Sequence, residues 1–223
     1  VDSIKQIDID TWHRKEHFEF YSTFSQPFFN ICATVDVSQT LRFCNDNDLS
    51  FFICSLFILG YTANQIAPLR LRINNSNVEL HDELEISCTV LNNNQSFSFC
   101  DFGKCREFKT FYHNAEQQMS YSKKHNSPLI TADSKANSIF CSVLPWLHFT
   151  SFSHAQKQSE HDSIPRFVMG KYKKKHKEVI MPVSVEVHHA LVDGLHVGQY
   201  FEKLQHNFDN FFEDKKKPDK YQA

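Results

Sequence analysis

The chain has 223 residues, with 24 lysines and arginines against 26 aspartates and glutamates, for a formal net charge of −2. That balance gives no support for a nucleic-acid partner, which needs clustered excess positive charge, and the length suits one domain whose core needs no disulfide or metal staple. The most apolar run, residues 51–60, is too short to span a bilayer, and residues 1–19 are too polar and charged to read as a secretory leader.

Residues 9–21 read as a first helix, started at Asp10 and Thr11, with Glu16 and Glu19 placed for local ion pairs to Arg14 and Lys15. A strand is predicted over 28–35 and an apolar, buried helix over 50–66, stopped near Pro68. Residues 69–73 and 77–80 flank Asn74-Asn75-Ser76 as a hairpin. Strands follow over 86–91 and 96–100, a helix over 106–124, and a short apolar segment over 138–144 that ends at Pro145-Trp146. Residues 167–171 and 179–189 are strand candidates joined by a basic turn over 173–177. The second alternates Val183, Val185 and Val187 with Ser184, Glu186 and His188. A last helix carries Val197, Tyr200, Phe201, Leu204, Phe208, Phe211 and Phe212 on one stripe, and residues 213–223 read as a charged, disordered tail after a single domain over 1–212. Strands mixed with helices without strict βαβ alternation predict an α+β fold, a two-layer sandwich of a mixed sheet with helices.

Seven scattered cysteines show no C-x-x-C pair and no zinc spacing, which fits a reducing cytosol and a cytoplasmic location. The 13 histidines show no H-x-x-x-H or H-x-x-H pair with supporting ligands and read as solvated surface, so no metal is expected. Phenylalanine, 22 residues of 223, reads chiefly as core filling, with an aromatic-lined pocket as the sharper alternative.

The stretch His188-His189-Ala190-Leu191-Val192-Asp193-Gly194 lies where a strand ends and a helix begins. A side chain there can project into a cleft while the sheet holds it rigid. An imidazole, with an ordinary pKa of about 6.5, can take and return a proton near neutral pH. Asp193 is placed to cap the following helix or to form an ion pair that fixes the turn. Strict alternation sends His188 to the other sheet face, which makes it structural.

This stretch resembles the H-H-A-x-x-D-G signature of the chloramphenicol acetyltransferases. The likeness continues at Trp12-His13-Arg14-Lys15-Glu16-His17-Phe18-Glu19-Phe20-Tyr21, at Ser142-Val143-Leu144-Pro145-Trp146, at Met169-Gly170-Lys171-Tyr172, at Met181-Pro182 and at Asp193-Gly194-Leu195-His196-Val197. These motifs stand in family order over most of the chain, from residue 5 to about residue 206. The resemblance implies the CoA-dependent acyltransferase fold and acetyl transfer from acetyl-CoA, as co-substrate, to a hydroxyl of a small-molecule acceptor. It makes His189 the general base and Ser142 the oxyanion donor. Asp193 and Arg14 become the ion pair that fixes the turn. Tyr21, Phe29 and Phe97 match acceptor-pocket positions, and Trp146, Lys171 and Tyr172 lie along the CoA site. It also implies a homotrimer with active sites between subunits.

Three departures bear on substrate choice. Val168 stands where the family has a threonine and cannot hold the water a hydroxyl would hold. Arg166 stands on the acceptor wall in place of Val or Ile, where it either folds outward or favours a polar or anionic acceptor. Ser50 stands where the family often has a lysine that meets a CoA phosphate. Chloramphenicol ranks first as acceptor, ahead of another hydroxylated compound. A dihydrolipoamide acyltransferase core and a non-catalytic drug-binding trimer are the readings from other classes.

Overall fold

The computed structural model describes residues 3–125, 135–155 and 162–212. The chain opens with β1 (Ile4–Ile7) and α1 (Lys15–Ser22), then β2 (Phe28–Asp36), α2 (Ser38–Asp46) and α3 (Phe51–Asn64). A 3-10 turn at Ala67–Arg70 leads to β3 (Leu71–Asn74) and β4 (Asn77–His81), followed by β5 (Glu85–Leu91) and β6 (Phe97–Lys104). The rest is α4 (Phe108–His125), β7 (Ser138–Leu144), β8 (Arg166–Gly170), β9 (Lys173–Lys175), β10 (Glu178–His188) and α5 (Gly194–Asn210).

A mixed sheet runs in the order β2-β10-β8-β7-β5-β6, with β9 paired to the start of β10. Its two inner pairs, β8 with β7 and β7 with β5, are parallel, and the others are antiparallel. A small second sheet, β1-β4-β3, stands apart from it. Helices α2 to α5 cover one face of the large sheet, which is the two-layer α+β arrangement expected from the sequence.

α3 is apolar on every side, so it can only be stable in the interior. It packs on α2, α4, α5 and β5 and holds the centre of the core. Ser50 caps it by accepting the Ile53 amide at 3.4 Å. Gly60 is required where the helix meets the sheet, since a Cβ there would stand 2.4 Å from the Cys105 sulfur.

β10 turns Val183, Val185 and Val187 toward the helices, while Ser184, Glu186 and His188 point the opposite way. Both sets are buried. The second face is covered because the segment after β7 folds back across it. Leu147 accepts the Lys171 amide at 2.7 Å, and a Cβ at Gly170 would meet Leu147 O and Phe149 at 2.8 Å.

Four features differ from the sequence expectation. α1 starts at Lys15, because Asp8 and Asp10 tie residues 8–15 into a side-chain-bonded turn instead. β1 and α2 were not anticipated. α2 is only nine residues long, too short for periodicity to declare itself, and is held by tertiary contacts such as Thr40 Oγ1 donating to Phe208 O at 2.6 Å. The basic turn contains a strand, β9, with the reversal confined to its end, where His176 takes a φ of 55°. Phe211 and Phe212 lie just past α5 but keep their core role, Phe212 stacking on Phe43 at 4.4 Å. The expected tail, 213–223, lies outside the described residues.

Candidate active site

The turn after β10 is built around His189. Its amide donates to Pro27 O at 2.8 Å, and the amides of Leu191 and Val192 return to His188 O at 3.1 and 3.0 Å. Ala190, Leu191 and Val192 are buried and anchor the turn in the core. The His189 ring lies flat on Tyr21, centroids 3.9 Å apart and 6° from parallel. Phe29 closes on it from β2 at 4.6 Å. Nδ1 is buried with no hydrogen-bond partner among the described residues, so Nε2 is the nitrogen that reaches outward. Two aromatic rings and one amide thus fix the imidazole in position.

Arg14 and Asp193 tie the same turn from below. Arg14 is buried; its Nη1 donates to Asp193 Oδ2 at 2.5 Å and its Nη2 to His189 O at 3.5 Å. Asp193 also caps α5, accepting the Leu195 amide at 3.1 Å, while its own amide donates to His196 Nδ1 at 3.2 Å. Burial opposes ionisation of Asp193, but the Arg14 hydrogen bond and charge outweigh it and hold the carboxyl below its ordinary range. Burial pushes His196 down, which suits a neutral ring accepting the Asp193 amide.

His188 is the opposite case. Its ring meets Phe28 edge-on at 5.2 Å, and Nδ1 accepts the Ala190 amide at 3.2 Å. Burial pushes its pKa down to about 4, against a smaller opposing pull from Asp162. The neutral ring therefore stabilises the fold fully only above the ordinary imidazole value. Stability should fall as the pH drops from about 6.5 to about 4, by up to about 3 kcal/mol. Urea titrations of wild type and His188→Gln across that window check this, and the variant should lose the slope.

Ser142 stands elsewhere. Ser184, Val168, Ser142 and Thr89 form one row across β10, β8, β7 and β5, and Thr89 Oγ1 donates to Ser142 Oγ at 3.4 Å. His189 lies five residues beyond Ser184 along β10 and two strands away. Strand geometry puts it roughly 15–20 Å from Ser142 within one chain. Phe97, exposed opposite Leu91 on the edge strand β6, is four strands from β10. Val168 is fully buried in the row. Arg166 does not fold outward. It is buried, its charge is met by Asp162, and its guanidinium lies 4.9 Å over the Phe28 ring.

A cavity of ≈ 520 Å³ opens on the Ser142 half of the sheet. Trp146, Lys171 and Tyr172 line it together, brought side by side by the docking of Leu147 on Gly170. Trp146 is 61 % exposed and Tyr172 43 %, so both offer free ring area at the mouth. Tyr172 leans edge-on against Phe51 at 5.3 Å. The sequence reading did not single out Phe51, Phe52 and Ser55 on α3, or Met119 and Lys123 on α4, which supply the opposite wall. Only Ser55, a hydroxyl inside an apolar helix, carried any signal.

The structure thus brings His189, Tyr21, Phe29, Arg14 and Asp193 together at one end and Ser142, Trp146, Lys171 and Tyr172 at the other. Among the described residues no group of three or more His, Cys, Asp or Glu is placed to hold a metal ion, and no helix is long and apolar enough to cross a membrane.

A family model, that of chloramphenicol acetyltransferase, matches residues 3–205. A chloramphenicol acetyltransferase of Escherichia coli is 29% identical over 206 residues, covering 92% of this chain and 94% of its own. That of Bacillus pumilus is 29% identical over 202 residues, covering 90% and 91%. A solved chloramphenicol acetyltransferase superposes with a TM-score of 0.81 at 26% identity, over 92% of this chain and 99% of its own. The cubic core of a pyruvate dehydrogenase multienzyme complex shares the fold at a TM-score of 0.69 and 10% identity, over 84% and 83%. The chain belongs to the chloramphenicol acetyltransferase family, a family of acyltransferases.

Proposed function

We propose that this enzyme transfers the acetyl group of acetyl-CoA to a hydroxyl of chloramphenicol, with His189 as general base. The observation that carries this is the imidazole clamped between Tyr21 and Phe29 with Nε2 facing outward. Nε2 takes the hydroxyl proton as the oxygen bonds to the thioester carbonyl carbon. The tetrahedral intermediate collapses, the carbon–sulfur bond breaks, and the proton passes from the imidazole to the departing thiolate. For Nε2 to hold the lone pair, the ring proton must sit on Nδ1. The step needs no metal and no acyl-enzyme, and much of its acceleration comes from positioning two bound substrates.

The site is proposed to form between subunits of a homotrimer. His189 and Ser142 stand too far apart in one chain for one to take a proton while the other meets the resulting oxyanion. Phe97 and the cavity with Trp146, Lys171 and Tyr172 lie on the Ser142 side. A neighbour's sheet brought against His189 completes the set and leaves a path for the donor. Seven free thiols support a cytosolic setting. Arg166 argues against an anionic acceptor, because Asp162 already answers its charge.

The test is thiol release from acetyl-CoA with and without chloramphenicol. Release should depend on the acceptor. His189→Ala and Ser142→Ala should each be impaired alone. Co-expressed as mixed trimers, they should recover about a quarter of the sites, those that draw both intact residues from different subunits. Release without dependence on chloramphenicol rejects the acceptor, and no recovery in mixtures rejects the shared site.

A further inference from the structure

The lining of the cavity beside Trp146 includes a residue whose hydroxyl the fold buries without a partner. Ser55 stands one turn after Phe51 on α3, is fully buried, and lines the cavity with Phe52, Val90, Met169 and Met181. Its Oγ has no hydrogen-bond partner among the described residues. A hydroxyl in a buried helix ordinarily donates to the carbonyl four residues back. Thr62 does so in this helix, reaching Ile58 O at 2.7 Å. Ser55 does not, although an apolar residue of its size would carry no desolvation cost. Opposite it α4 contributes Met119 and, one turn on, the exposed Lys123, while Lys171 stands on the β8 side. The cavity is therefore mostly apolar along its walls, with one unmet hydroxyl buried in its described lining, at Ser55, and two cations, Lys123 and Lys171, beside it.

That pattern matches a donor with a neutral, amide-bearing arm and an anionic head. We propose that Ser55 and Lys123 bind the donor, the Ser55 hydroxyl hydrogen-bonding an amide of the pantetheine arm and Lys123 facing the phosphates. The inference rests on the acetyl-CoA reading above and assigns two residues on the helical wall of its site. The two roles are separable, because the arm occurs without the nucleotide in S-acetylpantetheine.

The experiment is steady-state kinetics of wild type, Ser55→Ala and Lys123→Gln with acetyl-CoA and with S-acetylpantetheine as donors. Ser55→Ala should raise KM for both donors about three- to tenfold. Lys123→Gln should raise KM for acetyl-CoA by about threefold or more, less at high salt, and leave S-acetylpantetheine unaffected. Neither should change KM for chloramphenicol. The Tm of ligand-free Ser55→Ala should hold or rise, since the variant removes an unmet hydroxyl; a fall would mark Ser55 as structural and overturn its role. Either residue whose substitution leaves donor KM unchanged in an active enzyme loses its assignment, with the acetyl-CoA reading intact. A wild type that neither binds CoA nor releases thiol from either donor overturns both.

Discussion

His189→Ala should lower chloramphenicol-dependent thiol release by roughly 10²–10⁴-fold with both substrates saturating, the range over which a placed general base contributes. Among the described residues, no group in contact with the ring is placed to take over. Tyr21 and Phe29, its two ring neighbours, contribute aromatic faces, and Arg14 and Asp193 are engaged with each other. His188 is adjacent in sequence but held neutral on the opposite sheet face, its Nδ1 occupied by the Ala190 amide. Rate loss should therefore come without much change in KM for either substrate, as expected when an interaction made in the transition state is removed. A folded variant within tenfold of wild type would remove His189 from the chemistry.

Much of the fold was legible because its signals were local. Alternation through Val183, Val185 and Val187 marked β10, an all-apolar run marked α3, and Asn74-Asn75-Ser76 marked the β3–β4 hairpin, whose Asn75 takes a φ of 54°. What escaped was decided by distant parts of the chain. α2 is held by Phe208 O and β1 by pairing with β4 some seventy residues on. The start of α1 is set by side-chain bonds from Asp8 and Asp10 that compete with the helix. The burial of Ser184 and Glu186 depends on a segment folding back over the sheet, which no strand pattern announces.

The site was legible in another way. The His189 turn is contiguous and brought in Asp193, and the motif likeness added Arg14, 179 residues away. The likeness implied a site between subunits, and strand order supplies the physical reason, since it sets Ser142 and His189 apart in one chain. Neither source could say that Arg166 is buried against Asp162. The helical wall of the cavity escaped altogether. Phe51, Phe52 and Met119 look like core residues in the sequence, and only the space between α3, α4 and the sheet turns them into lining.

Asp193→Ala should cost about 3–4 kcal/mol of stability and lower kcat without changing the shape of its pH profile. Arg14 is buried and its Nε has no partner among the described residues. Without the carboxylate, its guanidinium keeps, among the described residues, only the 3.5 Å contact to His189 O, and an uncompensated buried charge costs about 3–5 kcal/mol. The lower end applies because Asp193 is partly exposed, its side chain at 31%. Loss of the α5 cap adds about 1 kcal/mol. The sign with pH follows from the carboxyl being held below its ordinary range. Its contribution is complete above the unfolded value of about 3.9 and disappears as pH falls through the folded value. Wild type and variant should therefore differ at neutral pH and converge in strong acid, below the window in which His188 acts. The rate falls because the turn carrying His189 loses its tie to α1. Arg14→Lys should recover little, since an ammonium cannot span Asp193 and His189 O as the guanidinium fork does. Denaturant titrations against pH, paired with kcat profiles, separate this from a proton-accepting role. A shifted profile, or a stable variant at the wild-type rate, would show that the pair does not position the base.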